Sequence, residues 1–220
     1  MLKPISKNQE DYLETIFHLI TEDGLAATQK IAEHLSISPA SVSENLIKLA
    51  HNKLIKYSPY EGATLTRRGK RLALRLVRRH RLAEQFLVNK LGVKWARSHE
   101  EAHQLEHGIS KLTGEQMDKV LGRPKTCPHG NPIPDVRGKI KQELSYPLLT
   151  LNQKDKVKII KITDEETKLL RYLAALGLMP QTELEIQEKA LCKGPIIIRV
   201  GRSNYAISQT VAKSIWVKKI

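Results

Sequence analysis

Apolar residues recur at helical spacing from near the start of the chain. Leu13, Ile16, Phe17 and Ile20 form one stripe between Asn8 and about Glu22, which predicts an amphipathic helix. Its polar side carries Asp11, Glu14 and His18 and reads first as a solvated face. A short helix follows from Gln29 to Leu35, with Ile31, Ala32 and Leu35 inward, and Ser36-Ile37 makes a tight turn. Ser38 then caps a second helix with Pro39 at its first position, where a missing N–H costs nothing, and Val42, Leu46 and Leu49 are its buried stripe. Leu54–Tyr57 and Thr64–Thr66, joined by a turn at Tyr60–Ala63, read as a two-stranded wing. Thr66 is placed to cap a long helix bearing Leu72, Leu76, Leu82, Phe86 and Leu87.

Ser98 with Glu101, and Thr113 with Gln116, read as capping boxes that open two further helices. The stretch Arg123–Pro134 is rich in Pro and Gly and reads as an ordered loop, leading into a linker that reaches about Leu148. Beyond it the pattern shortens to β segments at 156–161, 183–186, 195–200 and 204–207. A helix from Glu165 to Leu176 interrupts them, and Thr210–Lys219 is expected to turn from helix into an edge strand. The sum is a small SH3-like barrel. The expected fold is mainly α with small β parts: a winged helix-turn-helix over 1–72, a helical domain over 73–145 and the barrel over 150–220.

The net charge of +14 among 220 residues points to a polyanionic partner, most often nucleic acid. Helix-turn-helix geometry makes that specific. Small side chains at the start of the second helix allow close entry to the major groove, where Ala meets thymine methyls and Ser bonds base edges or phosphates. Candidate DNA contacts are Thr28, Ser38, Pro39, Ala40, Ser41, Ser43, Glu44 and Lys48, with Arg67 and Arg68 beside the wing for phosphates. Two cysteines far apart, Cys127 and Cys192, imply no disulfide framework. No apolar run reaches the ~20 residues that span a bilayer, and the N-terminus lacks the apolar core of a signal peptide. A cytoplasmic protein is expected, with no membrane partner and no small-molecule substrate.

The chemistry concentrates in Ser98–His107, where His99, His103, Glu106 and His107 fall at i, i+4, i+7 and i+8, one side of a helix. Three imidazoles and a carboxylate on one side resemble half a metal site. His80 and Glu84, one turn apart on the basic helix, and Asp11 with Glu14 offer further ligands. His103–His107 also matches H-x-x-E-H, the inverted zinc-protease pattern, with His103 and His107 on zinc and Glu106 polarising water. That hydrolase needs a third ligand, for which Glu115, Glu165 and Glu166 are the candidates. A metal-independent structural DNA binder is the other alternative. Cys127 and His129 share the Pro/Gly loop with no partner near them in sequence, and are left out of the candidate set.

Glu10–Ile16, Arg79–Glu84, Glu101–His107 and Gly130–Pro134 together resemble the diphtheria-toxin-repressor family of iron- and manganese-dependent transcriptional repressors, in order along nearly the whole chain. The resemblance implies a homodimer, possibly two dimers per operator, bound to double-stranded operator DNA of metal-uptake genes when a divalent metal is present. It makes the helical domain the dimerisation and metal-binding domain, and relates the barrel to the small domain found with ferrous-iron transporters. Carried over by position, Asp11, His103, Glu106 and His107 match the activating site, His80, Glu84 and His99 the ancillary one, and Glu14 a carboxylate of the manganese branch. The iron branch has Met and Cys where Asp11 and His103 stand, and the manganese branch usually has Glu at the latter. Sulfur-free ligation favours Mn²⁺ or Fe²⁺, with a lean to Mn²⁺, while Zn²⁺ or Co²⁺ would also bind in vitro. From the barrel, Glu166 aligns with an ancillary ligand, and Leu169 stands where the iron branch has Gln.

Overall fold

The computed structural model describes residues 5–190 and 194–220, which form two compact units. Cys192 lies outside the described residues. The first unit runs to Arg78 and takes in Pro134–Lys139; the second comprises Arg79–Ile133 and Ile140–Ile220.

In the first unit, α1 (Lys7–Asp23) opens on a capping box. Gln9 N donates to Ser6 Oγ at 3.3 Å, and Ser6 N donates to Gln9 Oε1 at 3.2 Å. Leu13 and Ile16 of its apolar stripe are fully buried and Ile20 at its end is half-buried, but its polar side is not simply solvated: Glu14 is only 8% exposed. Helices α2 (Thr28–Leu35) and α3 (Pro39–His51) are joined through Ser36, which takes a left-handed φ of 54°. Leu35, the last residue of α2, is half-buried rather than inward. Ser38 caps α3 by accepting from Ser41 N at 3.2 Å, and Val42, Leu46 and Leu49 are buried. Strands β1 (Ile55–Ser58) and β2 (Gly62–Leu65) pair antiparallel with Ile55 opposite Leu65. Ala63 N also donates to Ala26 O at 2.8 Å, so the segment before α2 borders the wing. Gly62 has φ +83°, and a Cβ there would stand 2.6 Å from Ala26 O, so only glycine fits. Thr66 Oγ1 accepts from Gly69 N at 3.0 Å, which starts α4 (Arg67–Leu91).

The second unit continues α4 into a 3-10 turn (Trp95–Arg97), α5 (Ser98–Leu105), a second 3-10 turn (Glu106–Gly108) and α6 (Lys111–Val120). Both capping boxes expected here are overturned. The 3-10 turn runs straight into α5, so the Ser98 hydroxyl donates back to Trp95 O at 3.0 Å, and Glu101 pairs with Arg97 at 2.8 Å. Helix α6 is capped by Ser110, whose extended backbone suits that role and whose Oγ accepts from Thr113 N at 3.1 Å. Ala83, Leu87, Ala102, Ile109 and Met117 form the small core between these helices.

The barrel is one six-stranded sheet in the order β3-β8-β4-β5-β6-β7. These are β3 (Tyr146–Pro147), β4 (Lys156–Ile162), β5 (Glu183–Lys189), β6 (Ile196–Val200), β7 (Ser203–Ile207) and β8 (Ile215–Lys219), with α7 (Thr167–Ala175) and α8 (Gln209–Ser214) between. The last strand is therefore not at the edge. The two-residue β3, too short to register as alternation, covers it, and its proline sits where a missing N–H is tolerated. Val157, Ile159, Leu170, Leu173, Ile186, Ile198 and Val217 fill the core, joined by Ala96 and Trp95 from the turn before α5. Helical and barrel parts thus share one apolar cluster.

Candidate metal centre

Helix α4 places His80 and Glu84 one turn apart on a buried face, at 5% and 0% exposure. Opposite them, the 3-10 turn after α5 buries Glu106 completely. His80 Nδ1 meets Glu106 Oε2 at 2.7 Å. The other oxygen, Glu106 Oε1, lies 2.9 Å from His103 Nδ1 and 3.4 Å from His107 Nε2, neither aligned as a hydrogen bond. These atoms converge on common space rather than pairing off. The change from α to 3-10 winding after Leu105 splits the sequence cluster, and His99 turns the other way.

His99 Nδ1 stands 3.0 Å from His80 Nε2, 3.4 Å from Glu84 Oε1 and 2.8 Å from Glu165 Oε2. Glu165 precedes α7 and was expected inside that helix; the helix starts at Thr167, so Glu165 turns inward. Glu166, the residue aligned by resemblance, is the N-cap position instead, and it is Glu165 that joins the cluster.

The Pro/Gly loop supplies the largest surprise. His129 is fully buried, with Nε2 donating to Trp95 O at 3.1 Å and Nδ1 facing Glu84 Oε1 at 3.1 Å and Glu165 Oε1 at 3.4 Å. Cys127, also buried, lies 4.0 Å from Glu165 Oε1. The loop is pinned on β4: Ile162 N donates to His129 O at 2.8 Å, and Asn131 Nδ2 donates to Ile162 O at 2.8 Å and to Glu165 Oε1 at 2.6 Å. Gly130 makes this possible, because at φ +87° a Cβ would stand 2.0 Å from Ile160 O. Cys127 and His129 lack partners in sequence, but folding gives them two carboxylates. A Cys-x-His pair flanked by Pro and Gly was the signal available.

The electrostatics follow from burial against opposite charge. Burial alone would raise Glu84, but His80 and His129 hold it well below the usual carboxylate range. Burial and the Glu84 charge oppose ionisation of Glu165, yet His99 and His129 depress it. Burial disfavours charge on His99, while Glu165 lifts it to about 9; Glu84 and Glu165 raise His129 far above the ordinary imidazole range. Glu106, despite burial, is held at about 2 by His103 and His80. Burial and Glu84 push the Cys127 thiol up to about 12. Without a metal, imidazolium protons supply the positive charge that these buried carboxylates require.

The donor set fits a divalent transition metal. Glu84 Oε2 is buried without a hydrogen bond among the described residues, an orphan that a cation would satisfy. Imidazole and carboxylate suit Mn²⁺, Fe²⁺, Co²⁺ and Zn²⁺ alike, and the Cys127 sulfur adds softer character than a sulfur-free set has. His80, Glu84 and His99 come together with Glu165, and His80 with His103 and Glu106. Asp11 and Glu14 lie in the first unit, one turn apart on α1, with Glu14 3.8 Å from His18.

The expected DNA surface is also in the first unit. Ser38, Pro39, Ala40, Ser41, Glu44, Lys48 and Arg67 are exposed, while Thr28, Ser43 and Arg68 are half-buried. The Ser43 hydroxyl donates to Pro39 O at 3.0 Å and Arg68 Nη1 to Asn52 O at 3.4 Å. Two apolar groups on this surface were not anticipated: Ile47 on α3, 60% exposed, and Tyr60 at the wing turn, fully exposed.

Three family profiles match in succession. They are the iron dependent repressor N-terminal DNA binding domain over residues 4–63, the iron dependent repressor metal binding and dimerisation domain over 66–135, and the FeoA domain over 146–219. The iron-dependent repressor IdeR of Mycobacterium leprae is 29% identical over 223 residues, covering 96% of each chain. Among solved structures, a manganese-dependent transcriptional repressor in complex with manganese superposes with TM-score 0.91 at 32% identity, over 96% of this chain and all of that one. ScaR with bound Zn²⁺ gives 0.84 at 32% identity, over 97% and 100%.

Proposed function

The chain belongs to the diphtheria-toxin-repressor family of metal-dependent DNA-binding transcriptional repressors, and on that premise we propose that it is a cytoplasmic sensor of Mn²⁺ or Fe²⁺. Mn²⁺ is the favoured signal, because the activating set Asp11, His103, Glu106 and His107 has no sulfur ligand. Glu14 adds a carboxylate of the manganese type. His80, Glu84 and His99 form the ancillary set, with Glu165 in place of Glu166. Zn²⁺ and Co²⁺ bind the same donors in vitro without being the signal. The chain is not an enzyme: members of this family are repressors, and the H-x-x-E-H match carries no hydrolase.

The observation that carries the reading is Glu106, fully buried yet approached by His80, His103 and His107, three imidazoles that a bound cation would organise. Ligation by Asp11 ties the first helix of the winged domain to these residues. In a homodimer that tie fixes the angle between two copies of α3, so that both reach the major groove one turn, ~34 Å, apart. Ala40 and Ser41 read base edges there, and Arg67 and Arg68 hold phosphates. The metal's leverage equals its differential affinity for the two conformations. The regulated genes are those of metal uptake.

A gel shift on a palindromic promoter fragment tests this. Mn²⁺ or Fe²⁺ promotes binding and a chelator abolishes it; equal binding without metal refutes the switch. His103 is half exposed, so His103→Ala keeps the fold and loses the response. An unchanged response removes it from the site.

A further inference from the structure

Helix α3 presents one continuous outer face. Ala40, Glu44 and Ile47 stand at i, i+4 and i+7 and are exposed, while Val42, Leu46 and Leu49 hold the other side in the core. The polar side chains around the first turns are already engaged with the helix itself. Ser38 Oγ and Ser41 Oγ lie 2.9 Å apart, Ser43 Oγ donates to Pro39 O at 3.0 Å, and Asn45 Nδ2 donates to Ser41 O at 2.9 Å. Glu44 is the exception. Among the described residues it makes no hydrogen bond or ion pair, and Lys48, one turn on at the spacing that favours a bridge, does not pair with it. Its carboxylate keeps its whole accepting capacity for a partner outside the chain. In a chain of net charge +14 whose α3 meets a polyanion, an acidic group at the centre of this face is repelled by phosphates unless it gains a hydrogen bond.

An ionised carboxylate only accepts hydrogen bonds. In the major groove guanine and thymine offer acceptors and no donor, so both repel it. Adenine has the N6 amino donor, but its own N7 stands on one side and the O4 of the paired thymine on the other, two acceptors facing the carboxylate. Cytosine N4 has an acceptor on one side only, the O6 of the paired guanine, and a C–H edge on the other. Cytosine is therefore the base that best receives an acceptor-only side chain. Ala40 and Ile47, before and after Glu44 on the same face, carry no hydrogen-bonding group to compete for that amino donor, and Ile47 is 60% exposed. At 1.5 Å of rise per residue they stand about 10 Å apart, roughly three base steps of 3.4 Å, so Glu44 falls inside the span that α3 can read.

We propose that Glu44 selects a cytosine in each half of the operator, accepting a hydrogen bond from the N4 amino group in the major groove. Two copies of α3 in a homodimer place that cytosine at symmetry-related positions of a palindrome. Any other base there sets the carboxylate against acceptors, so Glu44 works as much by rejecting the wrong pair as by holding the right one. The proposal rests on the reading of α3 as the groove-entering helix of a metal-activated repressor, and adds which base pair that helix demands.

The test uses the full chain loaded with Mn²⁺ and a pool of DNA duplexes with a random core. Duplexes selected by the unmodified chain should carry one position per half-site that is cytosine throughout. Glu44→Gln, whose amide both accepts and donates, should turn that position to adenine and leave the others as they were. Glu44→Ala should take all four bases there. In anisotropy titrations on one selected duplex, replacing that cytosine pair in one half-site should weaken the unmodified chain by about tenfold and Glu44→Ala by about twofold at most. Glu44 lies on the exposed face of α3, and a changed base preference can be read only from folded protein. The same bases selected by all three chains overturn the proposal, as does a Glu44→Ala that tightens binding to every duplex alike, the behaviour of a merely repulsive charge. A loaded chain that selects no sequence overturns both this and the repressor reading. Selection that is equal with and without Mn²⁺ would instead sink the metal switch and leave the base preference standing.

Discussion

Gly130→Ala isolates how the loop carrying Cys127 and His129 is held against the barrel. The added Cβ would stand 2.0 Å from Ile160 O and 2.8 Å from Lys161 Cα, and φ is +87°. A left-handed backbone costs an alanine about 1–2 kcal/mol. Relieving the contact to 3.0 Å or more moves the loop off β4 by roughly 1 Å, which breaks the His129 O···Ile162 N and Asn131 Nδ2···Ile162 O hydrogen bonds, 2.8 Å each. At about 1 kcal/mol per hydrogen bond the total is roughly 3–4 kcal/mol, or ~10 °C in Tm for a chain of this size. Metal sites tolerate about 0.2 Å in ligand distance, so His129 and Cys127 fall out of reach and affinity at the ancillary pocket drops by roughly 10–100-fold. Calorimetry of the metal-free chain and a Co²⁺ titration read the two effects. A melting temperature and an affinity both equal to those of the unmodified chain would show that the loop does not dock on β4 as described.

Other outcomes follow from the same geometry. Glu165→Gln should weaken metal binding by about tenfold or more through loss of a ligand charge, whereas Glu166→Gln should leave it unchanged; equal effects in a competition titration would contradict the assignment of Glu165. In the metal-free chain His99 sits at about 9 against 6.5 unfolded, so its contribution is fully present below pH 6.5 and lost as pH rises through 9. A ligating imidazole must be neutral, so the melting-temperature gain from saturating Mn²⁺ should grow across that window, and a pH-independent gain speaks against ligation by His99. Arg67→Ala should weaken operator binding at all sequences and lower the log–log salt slope by about one unit. An unchanged slope in anisotropy titrations would remove Arg67 from the phosphate contacts.

Local chemistry made much of this protein legible before folding. Ser38-Pro39 announces α3, Thr66 announces α4, and the stripe of Val42, Leu46 and Leu49 fixes which side of α3 is buried, because capping and period-3.6 burial are decided within a few residues. His80 and Glu84, and the cluster from His99 to His107, were visible for the same reason: helical spacing alone puts such side chains together. What spacing cannot convey is where winding changes. The 3-10 turn at Glu106 divides the histidines between two groups, and the 3-10 turn before Ser98 takes away its cap. Position in the sheet is also non-local, and a two-residue strand from before β4 decides that β8 is interior. The decisive case is Cys127, His129 and Glu165. The loop pair and Glu165 stand more than thirty residues apart, and in sequence they read as an ordered loop and the first turn of a helix. They come together as one ligand group only when Gly130 lets the loop backbone lie against Ile160 and brings both segments onto the buried carboxylate of Glu84.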